Sequence, residues 1–261
     1  MRRTKYGLAD GQRTRWARRR KPACFRPGRN DATVMKKETK ETAVTYEKIR
    51  KNREINLLIE KGNAVLNELG YTEHSKKHAA KVAETAGKLL KELGYSEKEV
   101  ELSKIAGYMH DIGNSINRHD HAHNGAILAY SILKDLGMAL EDILTVVTAI
   151  GHHDEKTGTA IDVVSAALIL ADKTDVRRNR VQNPIPANFD IHDRVNYAAL
   201  SVKLEVKREK KVIQMNLELD DAICTVMDYF EIFLQRMLMC KRAAEVLGYQ
   251  FKLVANGNKI C

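Results

Sequence analysis

Tyr108-Met-His-Asp-Ile-Gly-Asn114 (YMHDIGN) follows the helical run ELSKIAG and sets an imidazole beside a carboxylate where that run ends. A lone His-Asp pair at a helix end is ordinarily a cap or a hydrogen-bonded surface residue. It becomes a site only if further donors recur where the chain can fold them back onto it.

Working outward, Ser96 and Glu99 make a capping box, so a helix starts there and runs toward His110. Upstream, Ile55, Leu58, Ile59, Val65, Leu66 and Leu69 recur at helical spacing over about residues 38–69, and Gly70 stops them. Thr72 is the expected cap of the next helix, whose buried stripe holds Val82, Ala86, Leu89, Leu90 and Leu93 and ends at Gly94. Downstream, residues 122–136 and 140–150 are helical, and 160–178 (AIDVVSAALILADKTDVRR) is apolar enough in its first half to be a central core helix.

The texture then changes. NPIPANFD reads as a linker or a loop against the core, with two prolines. SVKLEVKRE and KKVIQMNLELD alternate with period two and suit a strand pair turning near Glu209-Lys210. Residues 220–247 are helical, and YQFKLVANG is a last short strand. The expected fold is mainly α: a helical bundle over residues 35–182 and a small C-terminal α+β unit over 196–258. Two strands alone are marginal, so the last long helix should cover one face of the sheet.

The formal charge of +10 is unevenly spread, because residues 1–34 carry a net +9 and leave the body nearly neutral. That leader mixes Gly, Pro and Arg without periodicity and reads as disordered. A basic arm, a targeting segment, or sequence upstream of a true start at Met35 would each account for it, and the last is preferred, since MKKETKET leads into a helical pattern. The near-neutral body argues against nucleic acid as a partner. There is no run of 18 apolar residues to span a membrane. The four cysteines form no CxxC pair and read as reduced thiols of a cytoplasmic chain.

Eight of the nine histidines fall in four groups: His74 and His78; His110 beside Asp111; His119, His121 and His123; His152 and His153. Asp172 lies inside the very apolar ALILADKTD, where a carboxylate is costly unless a cation or hydrogen bonds compensate it. No cysteine joins any group, which argues against a closed structural zinc site.

HAAKV at 78–82, YMHDIGN, HAHNGA, IGHHDEKTG and LADKTD occur in this order, and together they resemble the HD-domain superfamily of metal-dependent phosphohydrolases over about residues 70–180. The resemblance implies metal ligands His78, His110, Asp111, His121, His152, His153 and Asp172, with Asp111 bridging two ions. His74 competes with His78, and His123 with His121. Asp175 is implied to orient a ligand histidine. Asn114 stands where many relatives have lysine, and the Gly-Tyr-Pro signature of cyclic-di-GMP phosphodiesterases is missing after His153.

The implied activity is hydrolysis of a small phosphorylated compound, a nucleotide by expectation, through water activated at the metal. Asp111, Lys173 and Arg177 are the candidate catalytic groups, with His119 and Arg178 toward substrate. Imidazole with carboxylate suits two divalent transition ions, iron or manganese first and zinc, cobalt or nickel after them. A non-catalytic metal-stabilised module and an RNA-binding protein are the rival readings. A homodimer through a strand edge or helix 220–247 is compatible with the pattern.

Overall fold

The computed structural model describes residues 44–261. The basic leader 1–34 and the start at Met35 lie outside the described residues. The expected helix over 38–69 is two helices, α1 (Tyr46–Lys51) and α2 (Arg53–Glu68). Asn52 divides them: its backbone is extended, and its side-chain oxygen accepts from Ile55 N at 3.1 Å, capping α2. α3 (Lys76–Leu93) is capped by Ser75 rather than Thr72, so His74 precedes the helix, and it ends at Gly94 in the left-handed conformation.

α4 (Glu97–Met109) opens on the Ser96–Glu99 capping box with both reciprocal bonds formed. It lies so close to α3 that a Cβ at Gly107 would fall 2.7 Å from Ala83 Cα. A short 3₁₀ turn over Ile112–Ser115 follows, and then α5 (His121–Asp135) and α6 (Leu140–Gly151). α7 (Val163–Lys173) begins at the Asp162–Ser165 box, and every residue from Val164 to Ala171 is buried, as in a helix surrounded by others. It packs on α3, α4 and α6. The helical pattern expected through 178 stops at Thr174, so Asp175, Arg177 and Arg178 are on the loop beyond it.

The proline-bearing stretch leads into α8 (Ile191–Ala198), which sequence periodicity had left unassigned. β1 (Ala199–Lys207) and β2 (Val212–Leu219) pair antiparallel through a turn over Arg208–Lys210. α9 (Val226–Val246), begun by a Thr225–Asp228 box, crosses to β3 (Gln250–Ala255), parallel to β2, and β4 (Asn258–Lys259) closes the order β1-β2-β3-β4. Ile213, Met215, Leu217, Phe251 and Leu253 are buried on one face, while Lys203, Glu205 and Lys207 are exposed. α9 packs on both β3 and α7, joining the sheet to the helical body. The fold is thus a helical bundle followed by a small mixed α+β unit. Among the described residues no helix is long and apolar enough to cross a membrane.

Candidate metal centre

Four helix ends and one helix face converge. His110 and Asp111 end α4, His121 is the first residue of α5, His153 follows α6, Asp172 is near the end of α7, and His78 is on the buried face of α3. Glycines permit the closest approach. The N-terminus of α5 rests directly on the 3₁₀ turn, where a Cβ at Gly113 would lie 2.5 Å from Gly125 N and closer still to the carbonyl oxygen of His121. That contact carries His121 to Asp111.

Each histidine is oriented through Nδ1. His78 Nδ1 donates to Asp175 Oδ2 at 2.8 Å, His110 Nδ1 to Gly107 O at 2.9 Å, and His153 Nδ1 to Ile150 O at 2.6 Å. His121 Nδ1 faces Arg118 O at 3.2 Å, and His74 Nδ1 faces Thr72 O at 2.6 Å. A ring that donates through Nδ1 turns its Nε2 lone pair outward to a ligand, and here all five Nε2 atoms face Asp111.

The carboxylate of Asp111 divides these rings. Oδ2 is 3.1 Å from His110 Nε2, 3.6 Å from His78 Nε2 and 4.0 Å from His74 Nε2. Oδ1 is 3.6 Å from His121 Nε2 and 3.7 Å from His153 Nε2. Asp172 Oδ1 joins the first half, 3.4 Å from His78 Nε2 and 3.6 Å from His110 Nε2. Two metal-type clusters result, His78-His110-Asp172 and His110-Asp111-His153.

Three buried imidazole nitrogens, His78 Nε2, His110 Nε2 and His152 Nδ1, have no hydrogen-bond partner among the described residues. Leaving a buried polar atom unsatisfied costs about 1–3 kcal/mol, and a divalent cation would relieve that cost for the two Nε2 atoms while balancing two carboxylates. The residues therefore fit a pair of ions. Electrostatics agree. Burial alone would push the Asp111 and Asp172 carboxyls up, but His110 and His74 beside the one, and Lys173 with the imidazoles beside the other, hold both well below the usual carboxylate range. Burial opposes charge on His110, yet Asp111 and Asp172 outweigh it and raise the ring to about 10. Burial and His153 push His121 down to about 3.

The other expected residues are placed as follows. His152 caps α6, half-buried. His123 is exposed and faces Asp120, and His119 is exposed with Nδ1 2.7 Å from Asp120. Lys173 is buried between Asp172 and Glu155, 2.8 Å from each. Arg177 grips Asp175 through Nε at 2.7 Å and Nη2 at 2.9 Å. Arg178 donates to Tyr197 O and lies over that ring, in the direction of α8.

Sequence reasoning missed four side chains. Arg236 of α9 donates to Glu155 at 3.2 Å and so connects the α+β unit to Lys173 and Asp172. Arg180 donates to Asp175 O and to Glu73 O, pinning the loop after α7 to the one before α3. Arg118 donates to Asn114, which in turn donates to Asp111 Oδ1 at 2.9 Å. Only the fourfold spacing of Arg118 from Asn114 hinted at this; Glu155 and Arg236 are 81 residues apart.

A mainly helical fold brings paired His/Asp clusters together around one carboxylate, the donor set of a metal-dependent hydrolase. Residues 76–177 match the family model of the HD domain, and this stretch holds every residue of the paired clusters. It is 29% identical over 200 residues to an uncharacterized protein of Methanocaldococcus jannaschii, covering 67% of this chain and 76% of that one. It is also 29% identical over 158 residues to Ribonuclease Y of Oceanobacillus iheyensis, covering 58% of this chain but only 29% of that enzyme. A solved "predicted HD superfamily hydrolase" from an uncultured Thermotogales bacterium is 24% identical at a TM-score of 0.38, covering 48% of this chain and 68% of that one.

Proposed function

We propose that the protein hydrolyses a phosphoester in a small nucleotide at a two-metal centre held by His78, His110, Asp111, His121, His152, His153 and Asp172. The observation that carries this reading is Asp111, whose Oδ2 faces His110 and His78 while Oδ1 faces His121 and His153. One carboxylate so flanked suits a bridge between two ions, with iron or manganese matching the imidazole-carboxylate donors. When bound, such a pair neutralises charge on phosphoryl oxygens and acidifies water.

The chain's own residues prepare the site. The Nδ1 hydrogen bonds hold the imidazole lone pairs inward, and Asn114 fixes one oxygen of Asp111. Lys173, engaged by two carboxylates, serves to hold Asp172 rather than to touch phosphate. Asp175 keeps His78 in register and is itself gripped by Arg177. In this reading the body over 35–182 carries the chemistry, and the unit over 196–258 braces it through Arg236.

A second reading, an RNA phosphodiester as substrate, is favoured by the likeness to Ribonuclease Y. Metal analysis should find about two transition ions per chain. A panel of nucleoside monophosphates, cyclic nucleotides, dinucleotides and short RNA, with manganese or iron added, should reveal hydrolysis that Asp111→Ala abolishes. Full activity in that variant would refute the reading.

A further inference from the structure

Arg118 is tied to the Asp111 carboxylate through a single intervening side chain, Asn114. Its Nη1 donates to Asn114 Oδ1 at 3.3 Å, and Asn114 Nδ2 donates to Asp111 Oδ1 at 2.9 Å. That oxygen belongs to the half of the site shared with His121 and His153. The backbone carbonyl of Arg118 also faces His121 Nδ1 at 3.2 Å, so residue 118 is fixed to the centre from both its ends. Its guanidinium rests over the Tyr71 ring, 5.5 Å from the centroid, and its positive charge bears on both His74 and His121.

Arg118 has no carboxylate partner among the described residues, whereas Arg177, Arg180 and Arg236 each pair with one. A half-buried guanidinium with donors left over is suited to accept an anion that arrives beside it. Asn114 takes only one of its five N–H donors.

We propose that Arg118 contacts the phosphoryl oxygens of the substrate on the His121–His153 half of the centre, adding its positive charge to that which a metal held by these residues would supply. The proposal rests on the phosphoester reading above. Asn114 and the Tyr71 ring are then the fixtures that pre-orient the guanidinium, so little side-chain freedom is lost when phosphate binds.

The test uses manganese-loaded full-length protein, with inorganic phosphate as the probe by calorimetry and metal content measured in parallel. Arg118→Gln should keep its metal stoichiometry but bind phosphate about ten- to a hundredfold more weakly, the loss expected for a charge-assisted hydrogen bond. Arg118→Lys should recover part of that loss. On a substrate identified by the panel, the glutamine variant should be impaired in kcat/KM. If Arg118→Gln binds phosphate as the parent does, the proposal is overturned. If it loses metal as well, and Asn114→Ala behaves identically, Arg118 acts only by holding Asp111, and the proposal again fails. A parent protein that loads metal yet neither binds phosphate nor cleaves any phosphoester would sink the underlying reading itself.

Discussion

Gly113→Ala offers the sharpest test of how the fold builds the site. A methyl group there meets backbone on its near side, 2.5 Å from Gly125 N and closer still to His121 O. Ordinary contact begins near 3.4 Å, so the N-terminus of α5 must retreat by about 1 Å. Neither obstacle can rotate away, which places the cost at or above the upper end for overpacking, about 3 kcal/mol. For a chain of this size that corresponds to a fall in Tm of about 6–12 °C. His121 moves with α5, so its 3.6 Å approach to Asp111 lengthens and the second metal should bind more weakly. Urea unfolding should show a lower midpoint at unchanged m-value, and metal titration should show one weakened site. Gly137→Ala is the control: nothing lies within 4 Å of its Cβ, so only its left-handed backbone (φ 80) is strained, and metal binding should stay intact. A Gly113→Ala protein as stable as the parent, loading both ions with parental affinity, would refute this account of the packing.

Glu155→Gln should destabilise the protein by about 2 kcal/mol at pH 7, below the usual figure for a fully buried pair because Glu155 keeps some exposure. Burial would raise its pKa, but Lys173 and Arg236 depress it below the usual carboxylate range. Its stabilisation is therefore complete above the unfolded value of about 4.3 and is lost as pH falls below it. The difference between parent and variant in chemical unfolding should shrink from pH 5 toward 2, and a constant difference would contradict the assignment. Asp175→Ala should weaken metal binding by about 10–100-fold through loss of the hydrogen bond that orients His78, with His78 itself intact; calorimetric titration would reveal unchanged affinity if that orientation were immaterial.

Helix starts and strand alternation were legible because they depend on near neighbours. The Ser96–Glu99 box and the period-two strands over residues 199–219 appear where the pattern places them. Local cues failed where one residue competed with the helix around it, as Asn52 does between α1 and α2, or where Ser75 capped α3 ahead of the more distant Thr72. The choice between His121 and His123 was not local either. Residues two apart on a helix point nearly opposite ways, and the seating of Gly125 on Gly113 turns His121 inward and leaves His123 exposed. His74 and His78 both reach Asp111, because one precedes the helix and the other lies within it.

By itself the sequence determined that most of these segments are helices, where several of them start, and which imidazoles and carboxylates were available as donors, since capping and periodicity act within a few residues. Tertiary structure alone decided which donors meet. His78 and Asp175 are 97 residues apart and join only because buried α7 packs against α3 and α4. The carboxylate of Asp111 parts its two sets of rings for the same reason: rigid helices fix positions across the core that no local periodicity encodes.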